Sequence, residues 1–229
     1  TNGAIGYEEE YLKAGSTPWV FGVRDGLAPS LLDFDQQVFN FVATGDGVIS
    51  IIDIKERSLK KHLKLSSKSA RVMSIDKVKK QLAIGFSDHS VKVIDINNYA
   101  PLHLLDGHSN SVFALAYSPT QDILVSGGRD ASLKFWNSNT YEQTNNVIAH
   151  MFAINYLSFR EDGMFFITCS MDKSMKIWDA NEHKLLKVID KARHAGHGTS
   201  INKVLWSTFN QSIISISDDR SISIWKVDI

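Results

Sequence analysis

The chain has 229 residues, 43% hydrophobic and 22% charged, and its 25 Lys and Arg balance 25 Asp and Glu to a formal net charge of zero. That balance gives no global case for nucleic acid or lipid binding, and the length suffices for a large core. No apolar run approaches the ~18 residues of a membrane span, and the first ten residues lack the basic and apolar stretches of a signal peptide.

Residues 1–17 read as an N-terminal arm, in which Tyr7-Glu8-Glu9-Glu10-Tyr11-Leu12-Lys13 is a helical turn or a loose acidic arm. Residues 18–23 have the content of a strand. From there to the end one unit recurs five times, and its aspartates fall at 46, 88, 130, 172 and 219, three intervals of 42 residues and one of 47. The clearest copy runs from about residue 109 to 150. Val112-Phe113-Ala114-Leu115-Ala116-Tyr117 is small and apolar, as a crowded inner strand requires, and Ser118-Pro119-Thr120-Gln121-Asp122 is a turn. Ile123-Leu124-Val125-Ser126-Gly127-Gly128 is a strand buried on both faces, Arg129-Asp130-Ala131 a tight hairpin, and Ser132-Leu133-Lys134-Phe135-Trp136 an alternating third strand. Residues 142–148 make a more polar outer strand. Four strands in 42 residues leave no room for a helical crossover, and a period of this length is a propeller signature.

The same offsets predict inner strands near 29–34, 70–75, 112–117, 154–159 and 201–206. The expected fold is therefore all-β: five four-stranded antiparallel blades over 18–229. The last copy stops just past its third strand at Trp225. Residues 19–23 stand where an outer strand belongs, so they are expected to pair with the last blade and close the ring. Cys169 is the lone cysteine and has no partner for an intrachain disulfide, which points to a reducing, cytoplasmic setting.

Three copies carry a further registration: His108, Ser126, Asp130 and Trp136; His150, Thr168, Asp172 and Trp178; His197, Ser215, Asp219 and Trp225. In each set the His lies 22 residues before the Asp, the hydroxyl four before it and the Trp six after it. On these residues the chain resembles the WD40 repeat family over roughly 18–229, and the resemblance implies that each set is a hydrogen-bonded network within a blade. Ser, His and Asp also make a catalytic triad. A constellation that recurs three times suits a structural device instead, and no catalytic residue is assigned. The first two copies depart from the pattern: Asp46 goes with Val42, Ile52 and Arg24, and Asp88 with Ile84, Ile94 and Ser66. Apolar packing is expected to hold those two, with each Asp ordering only its own turn.

The resemblance also implies that outer-to-inner loops and second-to-third-strand hairpins share one partner-binding face. That face would carry Asn110, Arg129, Phe152, Met171, Thr199 and Asp218, with Ser69, Ser111 and Met151 beside them. Phe152 and Met171 are the strongest hot-spot candidates, an aromatic and a Met on turns beside a polar rim. The insertion at 191–200 lies on the same face. His194 and His197 there resemble metal ligands, but His197 belongs to its blade and no nearby Cys completes a site, so no metal or cofactor is assigned. On the other face Arg57, Lys60, Lys61, Lys77, Lys79 and Lys80 form a basic patch for an acidic partner, without the interleaved aromatics of specific nucleic-acid binding. The expected role is a non-catalytic scaffold for a protein or peptide. The alternatives are a structural subunit of a larger complex, or a channel enzyme, for which Asn155, Asn202 and Lys203 are too few polar groups.

Overall fold

In the computed structural model, residues 21–24, 39–194 and 196–227 are described. The chain divides into two units, Thr1–Arg71 and Val72–Ile229. The first holds an antiparallel sheet in the order β1 (Phe21–Arg24), β2 (Phe39–Ala43), β3 (Val48–Asp53), β4 (Ser58–Lys64). Among the described residues, the remaining strands form three more four-stranded sheets and one three-stranded sheet. They are β5 (Ala70–Asp76) with β6 (Gln81–Phe86), β7 (Val91–Asp95) and β8 (Pro101–Leu105); and β9 (Val112–Tyr117) with β10 (Ile123–Gly128), β11 (Ser132–Asn137) and β12 (Gln143–Ile148). Then come β13 (Ile154–Phe159) with β14 (Phe165–Ser170), β15 (Met175–Asp179) and β16 (Lys184–Ile189), a short helix α1 (Lys191–His194), and finally β17 (Ile201–Trp206), β18 (Ile213–Ser217) and β19 (Ile222–Trp225). One sheet per repeat gives five repeat blades, consistent with a propeller.

Four of the inner strands stand where the repeat places them, at β5, β9, β13 and β17. The expected inner strand at 29–34 and the arm at 1–17 lie outside the described residues. The closing strand is a correction. Phe21–Arg24 is a strand, but its ladder partner is β2, from Phe21↔Ala43 to Arg24↔Asn40, not the strand ending at Trp225. The free edge of β2 presents a row of unpaired N–H and C=O groups, and β1 satisfies them.

The second unit shows why the second strands read as unbroken apolar runs. Successive residues point to opposite faces, and each face meets a different neighbouring sheet. Leu124 packs with Val93, Leu105 and Tyr117, whereas Val125 packs with Phe135, Ile154 and Phe166. Phe166 then faces the same core as Val125, and Ile167 the next one, with Met175, Ile201 and Val204. Each seam between sheets thus has its own core.

The turns repeat as closely as the strands. In the hairpins joining second to third strands, Gly47, His89, Ala131, Lys173 and Arg220 all take left-handed backbone, with φ from 62° to 81°. The turn before the outer strand does the same at Arg57, Tyr99, Tyr141 and His183. Two of these residues reach back to the preceding sheet. The His183 ring stacks on Phe135 at 4.0 Å, and its Nδ1 lies 3.2 Å from the Asn145 amide nitrogen. The Tyr141 ring lies 4.4 Å from His103.

Candidate partner-binding face

The three polar sets form the networks expected of them. His108 Nδ1 lies 2.9 Å from Asp130 Oδ2, His108 Nε2 lies 2.8 Å from Ser126 Oγ, and the Trp136 indole N–H donates to Ser126 Oγ at 2.9 Å. In the next blade the corresponding distances are 2.8 Å (His150–Asp172), 2.8 Å (His150–Thr168) and 3.0 Å (Trp178–Thr168). In the last they are 3.1 Å (His197–Asp219), 2.7 Å (His197–Ser215) and 2.8 Å (Trp225–Ser215). A carboxylate only accepts, so the Nδ1 of each His carries a proton.

Each aspartate also accepts from the backbone of the incoming loop: Ser109 N–H to Asp130, Met151 N–H to Asp172 and Gly198 N–H to Asp219. The network therefore clamps an outer-to-inner loop onto a hairpin in every one of these blades. Burial pushes the Asp172 carboxyl up. The bonds from His150, Ser174 and the Met151 N–H outweigh it and hold the group well below its ordinary value. Burial also lowers the pKa of His150, against the pull of Asp172, which favours a neutral imidazole with Thr168 donating its hydroxyl hydrogen to Nε2. Ser126, Thr168 and Ser215 are completely buried. With the indole N–H donating into each of them, none is presented to a substrate as a nucleophile.

The first two repeats replace the network by packing and local turns. Ile84 and Ile94 are fully buried, and the Ser90 N–H and hydroxyl both donate to Asp88. The Thr44 hydroxyl donates to Asp46, whose carboxylate also accepts from the Val48 N–H.

The loops so clamped present the expected binding residues unequally. Met151 is 82% exposed, Phe152 59% and Met171 51%. They sit on adjoining segments, joined by Met171 N–H to Ala153 O at 3.0 Å and Ser170 Oγ to Phe152 O at 3.2 Å. Ile148, at the end of β12, is exposed as well; the alternation that turns Val147 inward was the signal for it. Arg129 is exposed on its hairpin and has no ion pair among the described residues. Asn110 is exposed and caps its own turn, accepting from the Ser111 N–H. Thr199 and Asp218 are engaged inside the last blade, Thr199 with the Ser217 hydroxyl at 2.9 Å and Asp218 with the Asn202 amide at 2.6 Å.

Other polar candidates are also engaged. Both ring nitrogens of His197 are engaged, Nδ1 by Asp219 and Nε2 by Ser215, and among the described residues no group of three or more His, Cys, Asp or Glu is placed to hold a metal ion. The Asn155 amide donates to Ser200 Oγ and Ile201 O across to the next inner strand. Lys79 corrects the basic-patch expectation: its ammonium lies 2.9 Å from Asp122 Oδ1 and 2.7 Å from Ser138 Oγ. That charge is spent between two sheets.

A comparison with known proteins adds to this geometry. No curated protein matches the chain. Among solved structures, a chain in the crystal structure of a mitotic checkpoint complex is similar at a TM-score of 0.75 and 21% identity, over 83% of this chain. The match spans 58% of that chain's length, and at this identity it shows the fold alone. The family model for the WD domain, G-beta repeat, matches residues 99–137, 141–179 and 189–226. Each segment contains one complete polar set, and together they make up just over half of the sequence. The chain belongs to the WD40 repeat family.

Proposed function

We propose that the chain is a non-catalytic interaction scaffold that binds a protein or peptide on its loop face. Met151, Phe152 and Met171 are the anchors, with Arg129, Asn110, Thr199 and Asp218 around them. The observation that carries this reading is the exposure of three large apolar side chains on loops that buried networks hold rigid. Such preorganised apolar groups lose little entropy on binding and supply most of an interface's energy. The resemblance to a chain of a multiprotein complex supports an interaction role. We place the chain in the cytoplasm, in keeping with the lone, buried Cys169.

The test is capture from source lysate with wild-type protein and a Phe152→Ala/Met171→Ala variant. A saturable protein retained by wild type and lost by the variant supports the face; equal retention refutes it. A structural-subunit reading draws on the exposed Ile222 and Ile224 of β19, and a stable assembly that buries them favours it.

A further inference from the structure

A second surface lies at the other end of the strands, where the turns join inner to second strands. There one repeat position is occupied in successive blades by Lys79, Gln121 and Gly163, and in the first two its side chain closes the seam to the next sheet. Lys79 Nζ donates to Asp122 Oδ1 at 2.9 Å, Ser138 O at 3.0 Å and Ser138 Oγ at 2.7 Å in the next sheet. Gln121 Nε2 donates to Gly163 O at 3.2 Å, and Thr120 Oγ1 to Asp162 O at 2.8 Å. In both seams a donor of one sheet enters acceptors of the next.

At this position of the third seam there is no such donor among the described residues. Gly163 has φ +70°, and a Cβ there would lie 2.1 Å from Thr120 Oγ1. The staple of the preceding seam thus excludes a side chain at the very position that would make the following one. A cleft of about 330 Å³ opens in its place, lined by Arg160, Glu161, Asp162 and Gln211. Arg160 is already committed: Nε and Nη2 donate to Asp162 Oδ2 at 2.9 and 2.6 Å, and the guanidinium lies 4.2 Å over Phe165 and 5.6 Å over Trp206. Glu161 is exposed and has no ion pair among the described residues. Gln211 holds, one repeat of 42 and one of 47 further on, the position from which Asp122 accepts Lys79. The lining carries two carboxylates against one guanidinium, and its volume is at the small end of ligand sites, which run from about 300 Å³ upward.

We propose that this cleft receives a Lys or Arg side chain of a partner protein, which completes between molecules the staple that Lys79 and Gln121 make within the chain. Glu161 supplies the charge, since the Asp162 carboxylate is already paired with Arg160, and Gln211 a neutral acceptor. This site is separate from the loop face, so either reading stands without the other.

The test is an amide-correlation NMR titration of the full chain with end-blocked Gly-Gly-Lys-Gly-Gly, and with the same peptide carrying norleucine for lysine. The lysine peptide is expected to give saturable shifts at Gly163, Gln211 and the Trp206 indole N–H, and the norleucine peptide none. Glu161→Gln should weaken the affinity about threefold to fivefold, while Phe152→Ala/Met171→Ala leaves it unchanged. Glu161 is on the surface, so the rest of the Glu161→Gln spectrum should match wild type. Any of three results overturns the proposal: no saturable shift at these positions up to about 10 mM peptide, an equal response to the norleucine peptide, or undiminished affinity in Glu161→Gln.

Discussion

Thr168→Val is the sharpest probe of the buried networks. The two side chains are nearly isosteric, so the substitution creates almost no cavity and isolates the hydroxyl. Thr168 Oγ1 accepts from Trp178 at 3.0 Å and lies 2.8 Å from His150 Nε2, completely buried. Valine leaves an indole N–H and an imidazole nitrogen without partners. Each buried unsatisfied group costs about 1–3 kcal/mol, so Thr168→Val should destabilise by about 2–6 kcal/mol. Trp178→Phe removes only the donor and leaves the Thr168–His150 bond intact. Its hydrogen-bond contribution should be about 1 kcal/mol, plus whatever apolar contact the smaller ring loses. In the double variant the indole donor is absent from a site that no longer has its acceptor. The combined cost should then fall short of the sum of the single costs by about 1 kcal/mol or more. Equilibrium urea unfolding at 25 °C, followed by far-UV circular dichroism, measures all three. A Thr168→Val protein within about 0.5 kcal/mol of wild type, or strict additivity in the double variant, would refute the network as a stabilising unit.

The left-handed hairpin positions give a paired test. Ala131→Gly should stabilise by about 0.5–1 kcal/mol, because φ is +62° and glycine adopts it without strain. Gly47→Ala should destabilise by about 2 kcal/mol or more, since its Cβ would lie 2.4 Å from the Ser66 and Lys68 carbonyl oxygens; both are read from urea midpoints. Stability should fall in two stages on acidification. His150 has a folded pKa below its ordinary 6.5, so the unfolded chain binds its proton first and stability declines as pH drops through that region. Asp130 and Asp172 have folded values below 3.8, so their contribution is full above that pH and is lost as pH falls beneath it. Urea titrations from neutral to acid pH that rise or stay flat would contradict both signs. Lys79→Met should cost about 1–2 kcal/mol through the lost bonds to Ser138, and Asp122→Asn less, because the Ser138 bonds survive it.

The repeat made much of this legible before any coordinates. The evenly spaced aspartates located the hairpins, and the hydroxyl and Trp offsets located the networks, because both depend on spacing within one blade. What stayed hidden depends on contacts between distant segments. The expected ring closure by residues 19–23 rested on chain ends and open edges, yet the edge of β2 offers Phe21–Arg24 the same backbone chemistry as the edge of β19. Lys79 looked like one member of a charge run, and its partners Asp122 and Ser138 lie 43 and 59 residues away. Nothing in its own segment marks Gly163, and only the approach of Thr120 explains why no side chain fits there. Phe152 and Met171 were picked out for type and turn position. Thr199 and Asp218 shared the position, but the hydroxyl and amide groups of their own blade already engage them.

The alternation along β10 and β14 bears on how such a chain tolerates change. Because Leu124 and Val125 serve different seams, as do Phe166 and Ile167, a substitution at one residue loads a single junction and leaves its neighbour's shape alone. Each junction is thus a separately adjustable joint, free to drift in composition while the spacing around it holds. The second repeat, with buried Ile84 and Ile94 where three other repeats carry a hydroxyl and a Trp, keeps its place in the same spacing without the polar lock.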